Sequence, residues 1–352
     1  MNATLKPFFD CLSHLRTPDE SARRRFTADE DDFLGLERNP FRLDAEQKLL
    51  PSKCMRRLMD KTAVYTQPSN QHVRTRLSHS FDVANNASAL ARILGLNDSL
   101  AFACGLGHDV GHTPFGHSGE SFIRKVTGKQ FRHEVFGVVL LQKVERHGGG
   151  VNLTHQVLHG ILKHSRGKGF FSTNPEVTPE GNLIPLCDSI AYLFADANDT
   201  FDKLRCVDIQ DLPELQVILN WFGTDQRVRT FRCFEAICRE SAAKGEVAFA
   251  ESEEATKLKE LKRLMYEKVY GRIHPPKETD LLENCYKKLE TMNLAVEPAL
   301  ALALMTDEEV IHIATTPAFT QADLTPLAIG EILRKNGRSL ETVDFMNADM
   351  DW

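Results

Sequence analysis

The sequence predicts a mostly α-helical fold with many helices and at most a short β-hairpin. Apolar residues recur at three-and-four spacing along nearly the whole chain, and the two-residue alternation of a half-buried strand is scarce. The 352 residues, 42% of them hydrophobic, suffice for a large core in one or two domains. Helical periodicity covers residues 80 to 95, 98 to 109, 119 to 126, 132 to 146, 153 to 164, 183 to 200, 209 to 221, 226 to 243, 253 to 270, 277 to 291, 296 to 304 and 306 to 314. The break between the fifth and sixth segments, Gly167-Lys168-Gly169-Phe170-Phe171 leading to Asn174-Pro175 and Thr178-Pro179, has turn residues suited to a hairpin or lid.

The expected organisation is an N-terminal segment over 1–50, a core over 51–205, a helical portion over 206–346 that completes the same globule, and a loose tail over 347–352. The first segment mixes Arg23 to Arg25 with Asp29 to Asp32, as befits a strap on the core or on a neighbouring subunit. The longest apolar runs, such as Ala299 to Met305, fall short of the roughly 20 residues a membrane span needs. The N-terminus lacks the basic-then-apolar order of a signal peptide, so a cytoplasmic protein with no membrane partner is expected. Eight cysteines without a CxxC pair read as reduced thiols. A net charge of -6 argues against a dedicated nucleic-acid binder, although Arg56-Arg57 and Arg74/Arg76 form local clusters able to grip phosphates.

Chemistry is densest in His108-Asp109-Val110-Gly111-His112-Thr113-Pro114-Phe115-Gly116-His117-Ser118-Gly119-Glu120, where histidines and carboxylates alternate with the glycines and proline a chain needs to bend around a site. Upstream, His79 shares a helical stripe with Val83, Ala87, Leu90 and Leu94, so it points inward. Asn97 or Asp98 can cap a second helix whose apolar side, Leu100, Ala103 and Cys104, leads to His108. Two inward histidines on sequential antiparallel helices, with Asp109 next, are the elements of a His/His/Asp metal site. A fourth ligand is offered by Asp188, which forms a polar stripe with Tyr192 and Asp196 at i, i+4 and i+8 among Ile190, Ala191, Leu193 and Ala195. A buried carboxylate there needs a cation. Mixed oxygen and imidazole ligands suit one divalent ion, Mn or Mg first, with Fe, Co, Ni or Zn as alternatives.

His79, His108-Asp109 and Asp188 resemble the H...HD...D signature of the HD-domain metal phosphohydrolases. The segments HVRTRLSHS (72 to 80) and HDVGHTPFGHSGE (108 to 120) are similar to the deoxyguanosine triphosphate triphosphohydrolase branch of that superfamily. The likeness runs from about Arg56 to Asp199, with a weaker echo at Thr306-Asp307-Glu308-Glu309. The resemblance implies an HD-domain fold, with the catalytic core over 51–205, and hydrolysis of a dNTP at the α-phosphorus to deoxynucleoside and inorganic triphosphate.

It implies that His79, His108, Asp109 and Asp188 hold the metal and that Arg76 takes a phosphate oxygen. His117 is implied as the proton donor, with Glu120 orienting it, while His112 and the His133-Glu134 pair are the next candidates. Tyr192 would pack where a ribose 2′-hydroxyl would intrude, Asp196 would accept from the 3′-hydroxyl, and Lys61 would touch phosphate. The family's RRLxxKTQV segment stands here as Arg57-Leu58-Met59-Asp60-Lys61-Thr62-Ala63-Val64-Tyr65, so Ala63 replaces a sugar-contacting Gln, and Gln67 or Gln71 is the candidate substitute. His159 and His164 read as helix C-caps, with a pocket-lining role open for His164. Arg227, Arg229, Arg232, Lys262 and Arg263 are candidate contacts to the polyphosphate tail. The likeness further implies a homo-oligomer, hexameric by preference, and the possibility of single-stranded DNA or an allosteric dNTP as partner. A phosphodiesterase or 5′-nucleotidase, and a dNTP sensor without turnover, are the competing functions.

Overall fold

The polar residues flanking the apolar stripes set the start of each central helix. In this computed structural model, which describes residues 4–26, 39–165, 173–273 and 276–352, helix α1 (Arg76–Leu94) begins where the Thr75 side chain accepts from Ser78 N. Helix α2 (Asp98–Gly107) begins at Asn97, whose Oδ1 accepts from Leu100 N. The two pack closely because Gly105 carries no side chain: a Cβ there would stand 2.8 Å from Ala84 Cα. Around this pair lie α3 (His117–Thr127), α4 (His133–Val139), α5 (His155–Leu162) and α6 (Pro179–Asn198).

The C-terminal half supplies α7 (Pro213–Phe222), α8 (Gln226–Lys244), α9 (Glu253–Leu264), α10 (Pro276–Glu290), α11 (Pro298–Leu304), α12 (Asp307–Thr315) and α13 (Ala328–Asn336). Helix α6 starts four residues before its expected position. Thr178 caps it, and Pro179 sits at the first position, where no N–H is needed. Helix α13 was not expected, yet it buries Ile329 and Ile332.

No strand forms among the described residues, where only the isolated bridges Arg24 with Thr154 and Thr62 with Thr75 occur. The expected hairpin at Gly167 to Phe171 lies outside the described residues. One apolar core runs from Leu12 through α1, α2 and α6 to Phe345. The N-terminal residues lie on it through Arg24, which donates to the buried Asp44 and to Asn152 O, and through Glu180, which accepts from Thr17 N and Asn97 N. No helix among the described residues is long and apolar enough to cross a membrane.

Candidate active site

His79 stands one turn into α1, His108 caps the end of α2 with Asp109 after it, and Asp188 lies midway along α6. Their functional atoms converge. His79 Nε2 lies 3.0 Å from Asp188 Oδ1 and 3.7 Å from Asp109 Oδ2, while His108 Nε2 lies 3.4 Å from Asp109 Oδ1 and 3.9 Å from Asp188 Oδ1. His108 Nδ1 donates to Gly105 O at 2.7 Å, which leaves the lone pair on Nε2. That Nε2 is buried without a hydrogen-bond partner, a costly state that a cation relieves.

Protonation agrees with this reading. Burial lowers the pKa of His108. Burial alone would raise Asp109, but the charges of His108, His112 and Arg76 outweigh it and hold the carboxyl well below its ordinary range. Against the same opposition, His79 lowers Asp188. Neutral imidazole and ionised carboxylate are the forms that bind metal, so these shifts at His108, Asp109 and Asp188 suit a divalent ion.

Arg76, the expected phosphate contact, lies against Asp109 and the backbone of residues 62 and 63. Its Nη1 donates to Asp109 Oδ2 at 2.8 Å, Nε to Thr62 O at 3.0 Å and Nη2 to Ala63 O at 3.1 Å. These bonds use three of the five guanidinium N–H groups and hold Asp109 in place. Lys61 is likewise buried and donates from Nζ to His112 O; burial, then the neighbouring Arg57, push its pKa down to about 7.

The turn that delivers His117 is tightly wound. Phe115 has φ +56° and Gly116 φ +55°, and a Cβ on Gly116 would fall 2.7 Å from Arg76 Nη2. Thr113 Oγ1 closes the turn on Gly116 O at 2.8 Å. From the start of α12, Asp307 Oδ1 accepts from Phe115 N at 2.8 Å, and Oδ2 accepts from Thr62 N at 2.8 Å and from Thr62 Oγ1. Burial raises the Asp307 pKa to about 6. Asp307 lies in the Thr306 to Glu309 stretch, of which no site role was expected, and a capping box between Thr306 and Glu309 places it.

His117, the first residue of α3, is open to solvent on one side. The protein packed around its ring, and then the charge of His133, lower its pKa to about 4. Glu120 lies one turn on but is bound to His133: Oε1 accepts from His133 N at 2.7 Å and from His133 Nδ1 at 3.0 Å, and Oε2 accepts from Arg124 at 2.9 Å. Burial opposes its ionisation, yet these bonds and the charge of His133 hold its pKa near about 2. Burial likewise works against His133, whose pKa Glu120 raises. His112 stacks on His133 with ring centres 3.8 Å apart, and its Nε2 is 3.1 Å from Asp109 Oδ1. Glu134 pairs with Arg132 at 2.7 Å. His164, beyond the end of α5, turns into the site and places Nε2 3.2 Å from His133 Nε2.

Further along α6, Tyr192 is half-buried, with Lys262 Nζ 5.9 Å from its ring centre. Asp196 is buried, accepting from Arg74 Nη2 at 2.6 Å and Tyr270 OH at 2.8 Å. A carboxylate has about four acceptor positions, so these two bonds do not use all its lone pairs. Gln67 donates to Glu308, Gln71 is exposed, and the Ala63 carbonyl serves Arg76. Arg229 binds Asn198 and Gly223 O, and Arg232 stacks on Trp221 at 3.5 Å, which ties both to the packing of α7 and α8.

Residues 76–193 match the HD domain family, a span that contains His79, His108, Asp109 and Asp188. Over 234 residues the chain is 37% identical to a deoxyguanosinetriphosphate triphosphohydrolase-like protein of Caldanaerobacter subterraneus, covering 66% of each. A protein of the same description from Desulfatibacillum aliphaticivorans is 42% identical over 166 residues, 46% of this chain and 47% of that one. In both alignments the matched stretch spans less than two thirds of the relative. A third, from Clostridium tetani, is 32% identical over 257 residues, covering 72% of each. With the helices that carry these four side chains inside the matched region, the chain belongs to the deoxyguanosinetriphosphate triphosphohydrolase-like family of HD-domain proteins.

Proposed function

We propose that the chain hydrolyses a deoxynucleoside triphosphate at the α-phosphorus, giving deoxynucleoside and inorganic triphosphate, with Mn or Mg as the ion used. The observation that carries this reading is the two-ended site: the bare His108 Nε2 beside Asp109 and Asp188 at one end, and the solvent-open His117 at the other. The choice of substrate is supported by the relatives' designation as deoxyguanosinetriphosphate triphosphohydrolase-like proteins.

Bound by His79, His108, Asp109 and Asp188, a divalent ion would supply Lewis-acid charge at a phosphoryl oxygen. Arg76 keeps Asp109 ionised and aimed. Water adds its oxygen to the α-phosphorus while the bond to the sugar 5′-oxygen breaks, and that oxygen must take a proton. His117 supplies it. The ring is neutral in the free protein, and the negative polyphosphate raises its pKa on binding, so the proton is acquired with the substrate. Glu120 fixes His133 behind it. Tyr192 packs against the sugar edge, Asp196 accepts from the 3′-hydroxyl, and Lys61, whose Nζ is bonded to His112 O, is the further proposed phosphate contact.

Incubation with each dNTP and NTP under Mn or Mg, with separation of products, tests the reading. Inorganic triphosphate and deoxynucleoside in equal amounts are expected. Inorganic phosphate released from a dNMP would identify a nucleotidase instead, and dNTP binding without any product would identify a sensor.

A further inference from the structure

The backbone that leads into His117 is wound against its own preference. Phe115 and Gly116 both have positive φ, +56° and +55°, and Gly116 brings no side chain to cap α3. A side-chain-bearing residue in that region persists only where its surroundings over-determine it. Two carboxylates do so, one on each side of His117. Asp307, at the start of α12, holds Phe115 N. Glu278, in the first turn of α10 and only 3% exposed, accepts from Ser118 Oγ at 2.7 Å through Oε2.

The other oxygen of Glu278 joins the two supports. Oε1 accepts from Thr66 Oγ1, which lies 3.3 Å from Thr62 Oγ1, and Thr62 Oγ1 donates to Asp307. The contacts thus close on themselves, from Phe115 through Asp307, Thr62, Thr66 and Glu278 back to Ser118. One turn further along α3, the Phe122 ring meets Tyr286 of α10 edge to face, with centres 5.7 Å apart. Ser118 and Phe122 stand at i and i+4, so one face of α3 rests on α10 by a polar and an apolar contact. The hydroxyl nearest His117 is the one that Glu278 holds.

We propose that Glu278 is a positioning residue: through Ser118 it fixes the first turn of α3, and so the reach of the His117 ring towards the leaving oxygen. The role rests on His117 being the proton donor of the proposed reaction. Rate depends steeply on such placement, and a displacement of about 1 Å costs about 100-fold. Glu278 itself touches neither substrate nor metal in this role.

The test compares the Mn-loaded full chain with Glu278→Ala, Glu278→Gln, Ser118→Ala and the double variant Glu278→Ala/His117→Ala. Glu278→Ala should lower kcat for dNTP hydrolysis by about 10- to 100-fold, with KM and bound Mn near those of the wild type. In Glu278→Gln the amide can accept from Ser118 and donate to Thr66, so most of the rate should return. Ser118→Ala breaks the same bond from the other side; it should copy the loss, and it replaces Glu278→Ala if that variant does not fold by circular dichroism. The double variant should match His117→Ala alone, because a residue acting through the ring has no effect once the ring is gone. A further loss there would give Glu278 a general structural role and overturn the proposal, as would wild-type kcat in both Glu278→Ala and Ser118→Ala. Hydrogen exchange of the amides of residues 115–120 follows the same turn without substrate, and should quicken in Glu278→Ala and Ser118→Ala but not in Glu278→Gln. Unchanged exchange in the first two overturns the inference whatever the activity. A wild type that hydrolyses no dNTP would defeat the proposed function, while the exchange rates would still decide whether Glu278 holds the turn.

Discussion

Asp307 Oδ1 accepts a 2.8 Å hydrogen bond from Phe115 N, so a residue near the C-terminal end of the chain holds the turn that delivers His117. Its other oxygen holds Thr62, whose carbonyl in turn receives Arg76. One carboxylate thereby ties the turn that carries His117, the proposed proton donor, to the arginine that holds Asp109, a proposed metal ligand. Asp307→Ala should leave two buried N–H donors unpaired and cost about 2–4 kcal/mol of stability. Urea unfolding measures that loss, and turnover should fall while bound metal is retained. Unchanged stability and turnover would remove Asp307 from this role.

The same carboxylate gives a pH signature. Its folded pKa of about 6 lies above the unfolded value of about 3.9, so its proton is held more tightly in the folded state. The stability it contributes is full below about pH 4 and is lost as pH rises through 6. Relative to Asp307→Asn, which does not titrate, the wild type should lose stability across that window. Parallel unfolding curves for the two proteins from pH 4 to 7 would contradict the assignment.

Asp109 is surrounded by His79, His108, His112 and Arg76, and its removal strips the proposed ion of a ligand. Asp109→Ala should lose metal and activity together, and Arg76 should lose its carboxylate partner. Elemental analysis after gel filtration reads the metal, and EDTA treatment of the wild type should reproduce the loss and be reversed by Mn. Metal retained at wild-type level in the variant would exclude Asp109 as a ligand.

His117 is expected to behave differently. His117→Ala should keep metal and nucleotide affinity while turnover falls by about 10²–10⁴. Because the free ring is neutral above about pH 4, nucleotide binding near pH 7 should take up a proton, visible as a buffer-dependent heat of binding. The alanine variant should lose that uptake. Wild-type turnover, or the same uptake without the ring, would assign the proton to another group.

Sequence alone brought out the metal end because periodicity suffices there. His79 lies on a regular buried stripe, Asn97 caps the next helix, and the His108-Asp109 doublet follows directly. The partnerships that cross the chain were not legible. Asp307 to Phe115 spans 192 positions, and Asp196 to Tyr270 spans 74. No local pattern marks such pairs. His164 read as a helix cap because its Nδ1 does bind Ile161 O, and only the folded arrangement of α4 and α5 reveals where Nε2 points. Glu120 was assigned to His117 from their three-residue spacing, whereas its bonds run to His133, which becomes its neighbour through folding. Helix boundaries moved where capping decided them, as at Thr178-Pro179.

Tyr192 is the side chain through which sugar choice can be tested, because Ala63 offers no amide and Gln67 is committed to Glu308. Its ring is half-buried, one turn from Asp188 and near Lys262. If the ring itself excludes a 2′-hydroxyl by filling space, Tyr192→Phe should keep the preference for dNTP over NTP. Tyr192→Ala should then reduce the ratio of kcat/KM values by about 10- to 100-fold, the range that packing against one small group supplies. Competition between a dNTP and its ribose counterpart in one reaction measures the ratio directly. A ratio unchanged in the alanine variant would show that the sugar is read elsewhere, and a ratio lost already in the phenylalanine variant would assign it to the hydroxyl.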